Sequence, residues 1–389
     1  MAPDVNVREP GVETGQIPKL LAPRVSQRMR NIELALLLGA FTVSGLAILF
    51  VQFGALGHPD GHPFGLCLIL VVLILMLHVT MRFVAPQADA LIMPITVVLN
   101  GLGIAEIYRI DIHFKSLGWD ALATKQIAWS ALAIGAAFAV LVLVRNDGVL
   151  QRYTYTFGLV AVVLLLLPAL PIIGTSINGA RVWIQIGTLT FQPGEIAKIA
   201  LAIFFAGYLV AHRESLSMVG RKVLGMRLPR GRDLGPIIVV WFLSMGVIVT
   251  QRDLGTGLLF FGLFLVMLYT ATSRASWVIL GVSMIVIGAV AANQFLGYVH
   301  DRFQNWYDAF NPDIYNAEGG SYQVVQSLFG LAHGGLFGTG LGQGMPYITP
   351  VSQSDYIIAS LGEEIGLVGI FAVLSLYILL VSRGMRIGF

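Results

Sequence analysis

The sequence predicts an all-α polytopic membrane protein, a bundle of about ten transmembrane helices with one long extracellular loop. Hydrophobic residues make up 56% of the 389 residues and charged residues only 12%, with a mean hydropathy of +0.80. Soluble domains carry roughly 25% charged residues, so the composition excludes an ordinary soluble domain. Apolar runs of about 20 residues, the helix length that crosses a bilayer core, recur along the chain.

The apolar runs are expected to be helices because hydrocarbon offers no partner to free backbone groups. They lie near 32–56, 65–85, 90–108, 125–144, 150–172, 193–212, 234–251, 254–271, 275–297 and 356–382. The segment 1–31 contains Pro and Arg but no adjoining cleavable apolar core, so we expect a cytoplasmic tail and not a signal peptide. The net charge of +3 gives no argument for nucleic acid, and the single cysteine, Cys67, excludes an internal disulfide.

Basic residues fall on one side of the bundle if the predicted spans alternate in direction. They are Arg8, Lys19, Arg24, Arg28, Arg30, Arg145, Arg152, Arg213, Arg221, Lys222, Arg227, Arg230, Arg232, Arg274, Arg383 and Arg386. Loops rich in Lys and Arg stay in the cytoplasm. The pattern therefore predicts a cytoplasmic N-terminus and an extracellular position for the long loop, 298–355.

The loop from His300 to Asp355 has the composition of a functional segment. It combines aromatic residues, carboxylates and many glycines, whereas a linker would be richer in Ser, Lys and Glu. Its first half offers four carboxylates as candidate proton acceptors: Asp301, Asp308, Asp313 and Glu318. The glycines from 334 to 342 lack the strand context and the lysine of a phosphate-binding loop, so we expect them to make turns.

Charged residues near the ends of the predicted spans are the other candidates. Glu195 and Lys198 lie three residues apart on a helix that should begin at Pro193, and intramembrane charges are either functional or a structural ion pair. Asp253 is expected to cap the next helix, which leaves Arg252 to face an external cavity.

Two adjacent glutamates, Glu363 and Glu364, lie about two turns inside the last predicted span. Neighbouring helical residues point in different directions, so we expect one of them to point away from the partner of the other. The seven histidines show no metal-ligand spacing.

Several motifs together resemble the bacterial SEDS family (shape, elongation, division and sporulation), and most closely its rod-shape branch in actinobacteria. The motifs are Asn178-Gly-Ala-Arg181-Val-Trp183, Phe191-Gln-Pro193-Gly-Glu195-Ile-Ala-Lys198, Asp253-Leu-Gly-Thr256, the long loop, and Ser354-Asp355-Tyr with Gly362-Glu-Glu364-Ile-Gly-Leu-Val-Gly369. The resemblance runs from about Ala90 to the end. It implies two additional N-terminal helices in 32–85 and a SEDS-like core in 86–389, with the last two family helices lacking after Phe389.

The resemblance implies an inverting peptidoglycan glycosyltransferase that polymerises lipid II, whose donor sugar carries an undecaprenyl diphosphate. Such a transfer needs a carboxylate to accept the hydroxyl proton and positive charge for the leaving diphosphate. Asp313 stands in the place of the family's essential aspartate, although its spacing to Tyr322-Gln323 is one residue longer and the usual Asp-Pro is absent. Asp308 is the reserve. From the residues alone, either aspartate is more simply a turn former beside Pro312.

The same resemblance supplies a set of substrate-binding candidates. They are Arg181, Trp183, Glu195, Lys198, Arg252, Asp253, Arg302, Tyr322 and Gln323. Among them, Arg181, Lys198, Arg252 and Arg302 are candidates for diphosphate contacts, and Glu195 would organise Arg181 and Lys198. A divalent cation, Mg²⁺ or Mn²⁺, would share that charge, but no residue pattern requires one.

The expected partners are lipid II, membrane lipid and a single-span class B penicillin-binding protein, at a bacterial plasma membrane during elongation and cell-shape maintenance. Two other functions stay open: a transporter or flippase of lipid-linked precursor, and a non-catalytic scaffold of the elongation complex. A base in an external loop favours the enzyme, because a transporter should show charges near mid-membrane and interrupted helices in two related halves.

Overall fold

The computed structural model describes residues 22–144, 148–170, 173–177, 180–186, 189–217, 222–223, 226–227, 239, 242–243, 246–247 and 251–388. The chain divides into two compact units. Unit 1 consists of Met1–Val144 and Ser321–Phe389, and unit 2 of Arg145–Gly320.

Helices dominate the described residues. In chain order they are α1 (Ala22–Ala55), α2 (His62–Val84), α3 (Ile92–Phe114), α4 (Leu122–Leu143), α5 (Gly148–Arg152), α6 (Thr154–Leu166), α7 (Pro193–Ser217), α8 (Leu254–Thr272), α9 (Ala275–Phe295), α10 (Gly297–Tyr307), α11 (Pro312–Tyr315), α12 (Tyr322–Gly334) and α13 (Ile357–Gly388). The short strands are β1 (Gly174–Ile177), β2 (Ala180–Ile186), β3 (Leu189–Phe191), β4 (Lys222–Val223) and β5 (Met226–Arg227). Single 3₁₀ turns occupy Gly118–Asp120, Leu167–Ala169 and Pro346–Ile348.

The all-α polytopic class is confirmed. Seven helices among the described residues, α1, α2, α4, α7, α8, α9 and α13, are long and apolar enough to cross a bilayer. Helix α3 has the length, but its second half carries Glu106, Arg109 and Asp111. The predicted span at 150–172 divides at Tyr153 into α5 and α6, and its apolar helical stretch, Thr154–Ala169, is shorter than a span. The predicted span at 234–251 lies mostly outside the described residues.

In unit 1, α1 packs against α3, and α2 packs against α4. Their shared core includes Leu37, Leu70 and Ile104. Helix α3 ends at Lys115 in the left-handed conformation, with φ 54°. The Asp111 carboxylate then accepts the N–H groups of Leu122 and Ala123 at 2.9 and 2.7 Å, which fixes the start of α4.

Helix α13 of unit 1 is interrupted at Gly366, where φ is 69° and ψ is −176°. The glycine segment after α12 provides partners for the backbone groups that the interruption frees. Thr339 and Gly340 donate to the carbonyls of Glu363 and Glu364, and Leu367 and Val368 donate to the carbonyls of Gly335 and Leu336. These hydrogen bonds of 2.9–3.1 Å satisfy non-helical backbone inside an apolar helix.

In unit 2, α6 packs against α7, α7 against α8, and α8 against α9. Their core is aromatic and includes Phe205, Phe260, Phe264 and Trp277, all almost fully buried. Close helix contact requires glycine at Gly207, where an added Cβ would lie 2.0 Å from the Thr154 hydroxyl oxygen.

Two segments between the predicted spans have regular structure. Strands β1, β2 and β3 form an antiparallel sheet in that order, with Thr175 opposite Trp183. The predicted loop 298–355 contains most of α10, all of α11 and α12, and one 3₁₀ turn.

Candidate functional site

The two candidate bases, Asp308 and Asp313, differ in the hydrogen bonds of their carboxylates. Asn311 caps α11: its Oδ1 accepts the Asp313 N–H at 3.1 Å, and its Nδ2 donates to Asp308 Oδ2 at 2.9 Å. Asp308 is therefore bound into the turn. The Asp313 carboxylate is exposed and makes no hydrogen bond or ion pair with any described residue. Since Asn311 and Asp308 supply the side-chain contacts of the turn, Asp313 is not needed as a turn former.

A pocket of about 530 Å³ lies beside this turn. Its walls come from the end of α9, from α10 and from the turn, and they include His300, Trp306, Tyr307 and Asp308. The volume lies within the roughly 300–1,000 Å³ of small-molecule sites. Asp308 lines the pocket, whereas Asp313 is not among its lining residues. The reserve candidate is thus the one in the pocket, and the first candidate is the one with a free carboxylate.

Two candidate diphosphate ligands act electrostatically on one tyrosine at the start of α10. The Arg252 guanidinium lies 6.0 Å from the centre of the Tyr298 ring, within the distance of a cation–π contact. Burial raises the pKa of the Tyr298 hydroxyl, while the positive charges of Arg252 and Arg302 act in the opposite direction. The hydroxyl therefore stays a hydrogen-bond donor at neutral pH, beside two cations.

Asp253 is a helix cap, as predicted. Its Oδ1 accepts the Thr256 N–H at 3.1 Å, and its Oδ2 accepts the Thr256 hydroxyl at 2.6 Å. Both carboxylate oxygens are thus used at the start of α8. The preceding residue, Arg252, has a φ of 55°, the left-handed region that non-glycine residues seldom adopt. The Asp253 cap and the left-handed backbone of Arg252 together fix the direction in which the Arg252 side chain leaves the backbone.

The predicted pairing of Glu195 with Lys198 is confirmed. Helix α7 begins at Pro193, and Lys198 Nζ lies 2.7 Å from Glu195 Oε2. The two side chains are 57% and 30% exposed for Glu195 and Lys198 respectively, so the pair is accessible and not sealed inside the unit. Arg181 and Trp183, both half-buried, lie on β2, which packs against α7.

Tyr322 and Gln323 form the first turn of α12, which belongs to unit 1, whereas the other candidates belong to unit 2. Among the described residues, no group of three or more His, Cys, Asp or Glu side chains is arranged to hold a metal ion.

A charged cluster between α3 and α13 was missed by the sequence reasoning. Arg109 Nε lies 3.5 Å from Glu364 Oε1, and Arg109 Nη2 donates to the Gly344 carbonyl at 2.8 Å. Glu364 also accepts the N–H groups of Gly342 and Gly344 at 2.8 and 3.2 Å. Glu106, one turn before Arg109, is 1% exposed. The signal was present, because charges three residues apart in an apolar run predict a functional or paired site.

As expected, Glu363 and Glu364 point toward different partners. Glu363 Oε1 lies 3.0 Å from His333 Nδ1 and accepts the Met345 N–H at 3.0 Å. The segment 342–345 passes both side chains, so backbone N–H groups reach each carboxylate even though the two diverge around the helix.

Comparison with known proteins gives the family. Residues 89–389 match the family model FTSW_RODA_SPOVE, described as cell cycle protein. The chain belongs to this family. Peptidoglycan glycosyltransferase RodA of Mycobacterium tuberculosis is 40% identical over 378 residues, which cover 95% of this chain and 79% of that protein. The predicted resemblance to the actinobacterial rod-shape branch is confirmed.

More distant members also match. Stage V sporulation protein E of Bacillus subtilis is 27% identical over 307 residues, covering 77% of this chain and 78% of that protein. Among solved structures, this chain is similar to one chain of a peptidoglycan synthase complex, a structure that concerns the structural coordination of polymerization and crosslinking. It shows 20% identity and a TM-score of 0.43, and the match covers 82% of this chain and 76% of that one.

Proposed function

We propose that this family member is a peptidoglycan glycosyltransferase that polymerises lipid II into glycan strands during cell-wall elongation and cell-shape maintenance. The 40% identity with a protein named for that activity supports the reaction class. The geometric observation that carries the proposal is the free, exposed Asp313 carboxylate beside a turn that other residues hold. An unengaged carboxylate is available to accept a proton.

In the proposed reaction, Asp313 accepts the proton of the acceptor sugar hydroxyl as its oxygen attacks the anomeric carbon of the donor. The bond from that carbon to the lipid diphosphate breaks, and the configuration inverts. Arg252 and Arg302, beside Tyr298, would bind the departing phosphates, because positive charge stabilises the charge that develops there.

Lys198 and Arg181 are the other proposed phosphate ligands. The Glu195 carboxylate, 2.7 Å from Lys198 Nζ, would hold the ammonium group in place. Trp183, on the same strand as Arg181, and Asp253, Tyr322 and Gln323 complete the proposed substrate-binding set. A divalent cation, Mg²⁺ or Mn²⁺, would supply further positive charge to the diphosphate when bound.

The chain is a multi-pass membrane protein. We place its N-terminus in the cytoplasm and the segment 298–355 outside, on the basis of the asymmetry in Lys and Arg. A class B penicillin-binding protein is the proposed partner, because polymerised strands need a transpeptidase to crosslink them.

One observation favours a transporter of lipid-linked precursor as the second candidate. Transporters place substrate at interrupted membrane helices, and α13 is interrupted at Gly366. However, the backbone groups that lose their helical partners at this interruption are hydrogen-bonded to the segment 335–340. Fewer backbone groups therefore remain to bind a substrate. A scaffold role is the third candidate.

The chemical test compares Asp313→Asn with Asp308→Asn. Asparagine keeps the size of the side chain and its turn contacts but cannot accept the proton. We expect Asp313→Asn to lower the initial rate of lipid II polymerisation by roughly 100- to 10,000-fold. Asp308→Asn should retain most activity, since an amide oxygen can still accept the Asn311 hydrogen bond.

Both variants should bind the penicillin-binding protein as the wild type does, which shows that they are folded. If Asp308→Asn abolishes synthesis and Asp313→Asn does not, the base is Asp308, in the pocket. If neither change lowers the rate, the mechanism with a base in this segment is wrong.

A further inference from the structure

An apolar cavity of about 470 Å³ lies among α1, α2 and α3 in unit 1. Its walls include Phe41, Ile48, Leu70 and Ile74, with Ser44 as one of the few polar side chains. The Ser44 hydroxyl already donates to the Ala40 carbonyl at 2.9 Å. Water needs two to four polar partners to occupy a buried site, and this lining provides few. The cavity therefore suits a hydrocarbon chain.

A second cavity, of about 560 Å³, lies next to the first, toward the turn between α1 and α2. Ile48 and Ile104 line both cavities, so they form the boundary between them. The second cavity has polar groups in its wall, among them Tyr108, Lys115 and the carboxylates Asp60 and Asp111. Together the two cavities provide an apolar chamber followed by a polar one, which is the profile of an amphiphile.

Lys115 is the cationic group of the polar cavity. It occupies the left-handed position after α3, with φ 54°, where glycine or asparagine would be the unstrained choice. Its side chain forms no ion pair with a described residue. Asp111, in the same wall, makes its hydrogen bonds to α4, because both of its oxygens accept backbone N–H groups there. A strained position with an unpaired cation is a reason to expect a ligand.

We propose that these cavities bind one membrane phospholipid, with an acyl chain in the apolar cavity and its phosphate group facing Lys115. The phospholipid would fill the space between the two N-terminal helices and α3, and so fix α2 against the rest of unit 1. A soluble anion does not fit this arrangement, because it would leave the apolar cavity empty.

Two glycines of α1 provide a matched test. Gly45 lines the apolar cavity, Gly39 does not, and an added Cβ at either position would meet no atom within 4 Å. Leucine at Gly45 should fill the cavity, whereas leucine at Gly39 should change only the outer surface of the same helix. Leucine also has a higher helix propensity than glycine, so neither change should unfold α1.

The experiment uses vesicles that contain the full chain and a phosphatidylglycerol with a photoreactive group in one acyl chain. After irradiation, mass spectrometry measures labelling of peptides from α1, α2 and α3. We expect Gly45→Leu to lower labelling about tenfold relative to wild type, while Gly39→Leu leaves it unchanged. Equal labelling in Gly45→Leu and wild type, or an equal decrease in both variants, would overturn the proposal.

The headgroup is tested with a diacylglycerol probe that carries the same photoreactive chain but no phosphate. Wild type should label better with the phosphatidylglycerol probe, and Lys115→Gly should remove this preference, because glycine keeps the left-handed turn and only the cation is lost. If both probes label wild type equally, lipid contact is adventitious and the phosphate site does not exist.

Discussion

Replacing Gly366 by alanine tests the interruption of α13. At φ 69° and ψ −176° the residue adopts a conformation that is almost exclusive to glycine and that costs other residues about 1–3 kcal/mol. A Cβ there would also lie 2.3 Å from the Gly338 nitrogen and 2.6 Å from the Leu336 carbonyl oxygen. The Gly338 N–H donates to the Gly334 carbonyl, and the Leu336 carbonyl accepts the Val368 N–H across the interruption, so both atoms are held in place. Overpacking of this kind adds about 1–3 kcal/mol. We therefore expect Gly366→Ala to destabilise unit 1 by about 3 kcal/mol or more.

Gly384 in the same helix is the matched control, because a Cβ there would meet no atom within 4 Å. Gly384→Ala should raise stability by about 0.5–1 kcal/mol, as in any exposed helix interior. The assay is the temperature at which each purified variant loses its monodisperse peak in detergent. Gly366→Ala should lose it at a lower temperature than wild type, and Gly384→Ala should not. If both variants lose it at the wild-type temperature, α13 is a continuous helix and the described hydrogen bonds across 335–340 are wrong.

Two further predictions concern the membrane charges and the topology. A double-mutant cycle on Glu195 and Lys198 should give a coupling free energy of about 0.2–1 kcal/mol, the range for ion pairs that solvent partly screens. Additive single effects on stability and activity would contradict it. Single cysteines can be placed at Ala317 and at Ser217 in a Cys67→Ala background, and intact cells treated with an impermeant thiol reagent. Only the cysteine at 317 should be labelled. Equal labelling at both positions would reject the predicted orientation.

Features determined by neighbouring residues could be predicted from the sequence. The start of α7 at Pro193 and the cap that Asp253 provides for α8 depend on residues within one helical turn, and both are confirmed. The ion pair of Glu195 and Lys198 follows from the same helical spacing. Long apolar runs gave the fold class for a similar reason, since bilayer thickness sets their length.

Features determined by distant partners could not be predicted. The interruption at Gly366 depends on hydrogen bonds with residues 335–340, and the sequence alone does not show that these segments meet. The environment of Glu364 depends on Arg109, more than 250 positions away in the chain. The difference between the two candidate bases could not be predicted either. Only the structure shows that Asn311 and Asp308, and not Asp313, make the side-chain contacts of the turn.

The most direct test of the central claim is polymerisation of lipid II by the purified protein in detergent, with the class B penicillin-binding protein present. Detergent micelles do not separate two compartments, so a transporter or a scaffold would form no glycan strands there. We predict glycan strands that a muramidase degrades, formed by the wild type and absent with Asp313→Asn. A wild-type protein that binds its partner but forms no strands from lipid II under these conditions would contradict the assignment as a glycosyltransferase.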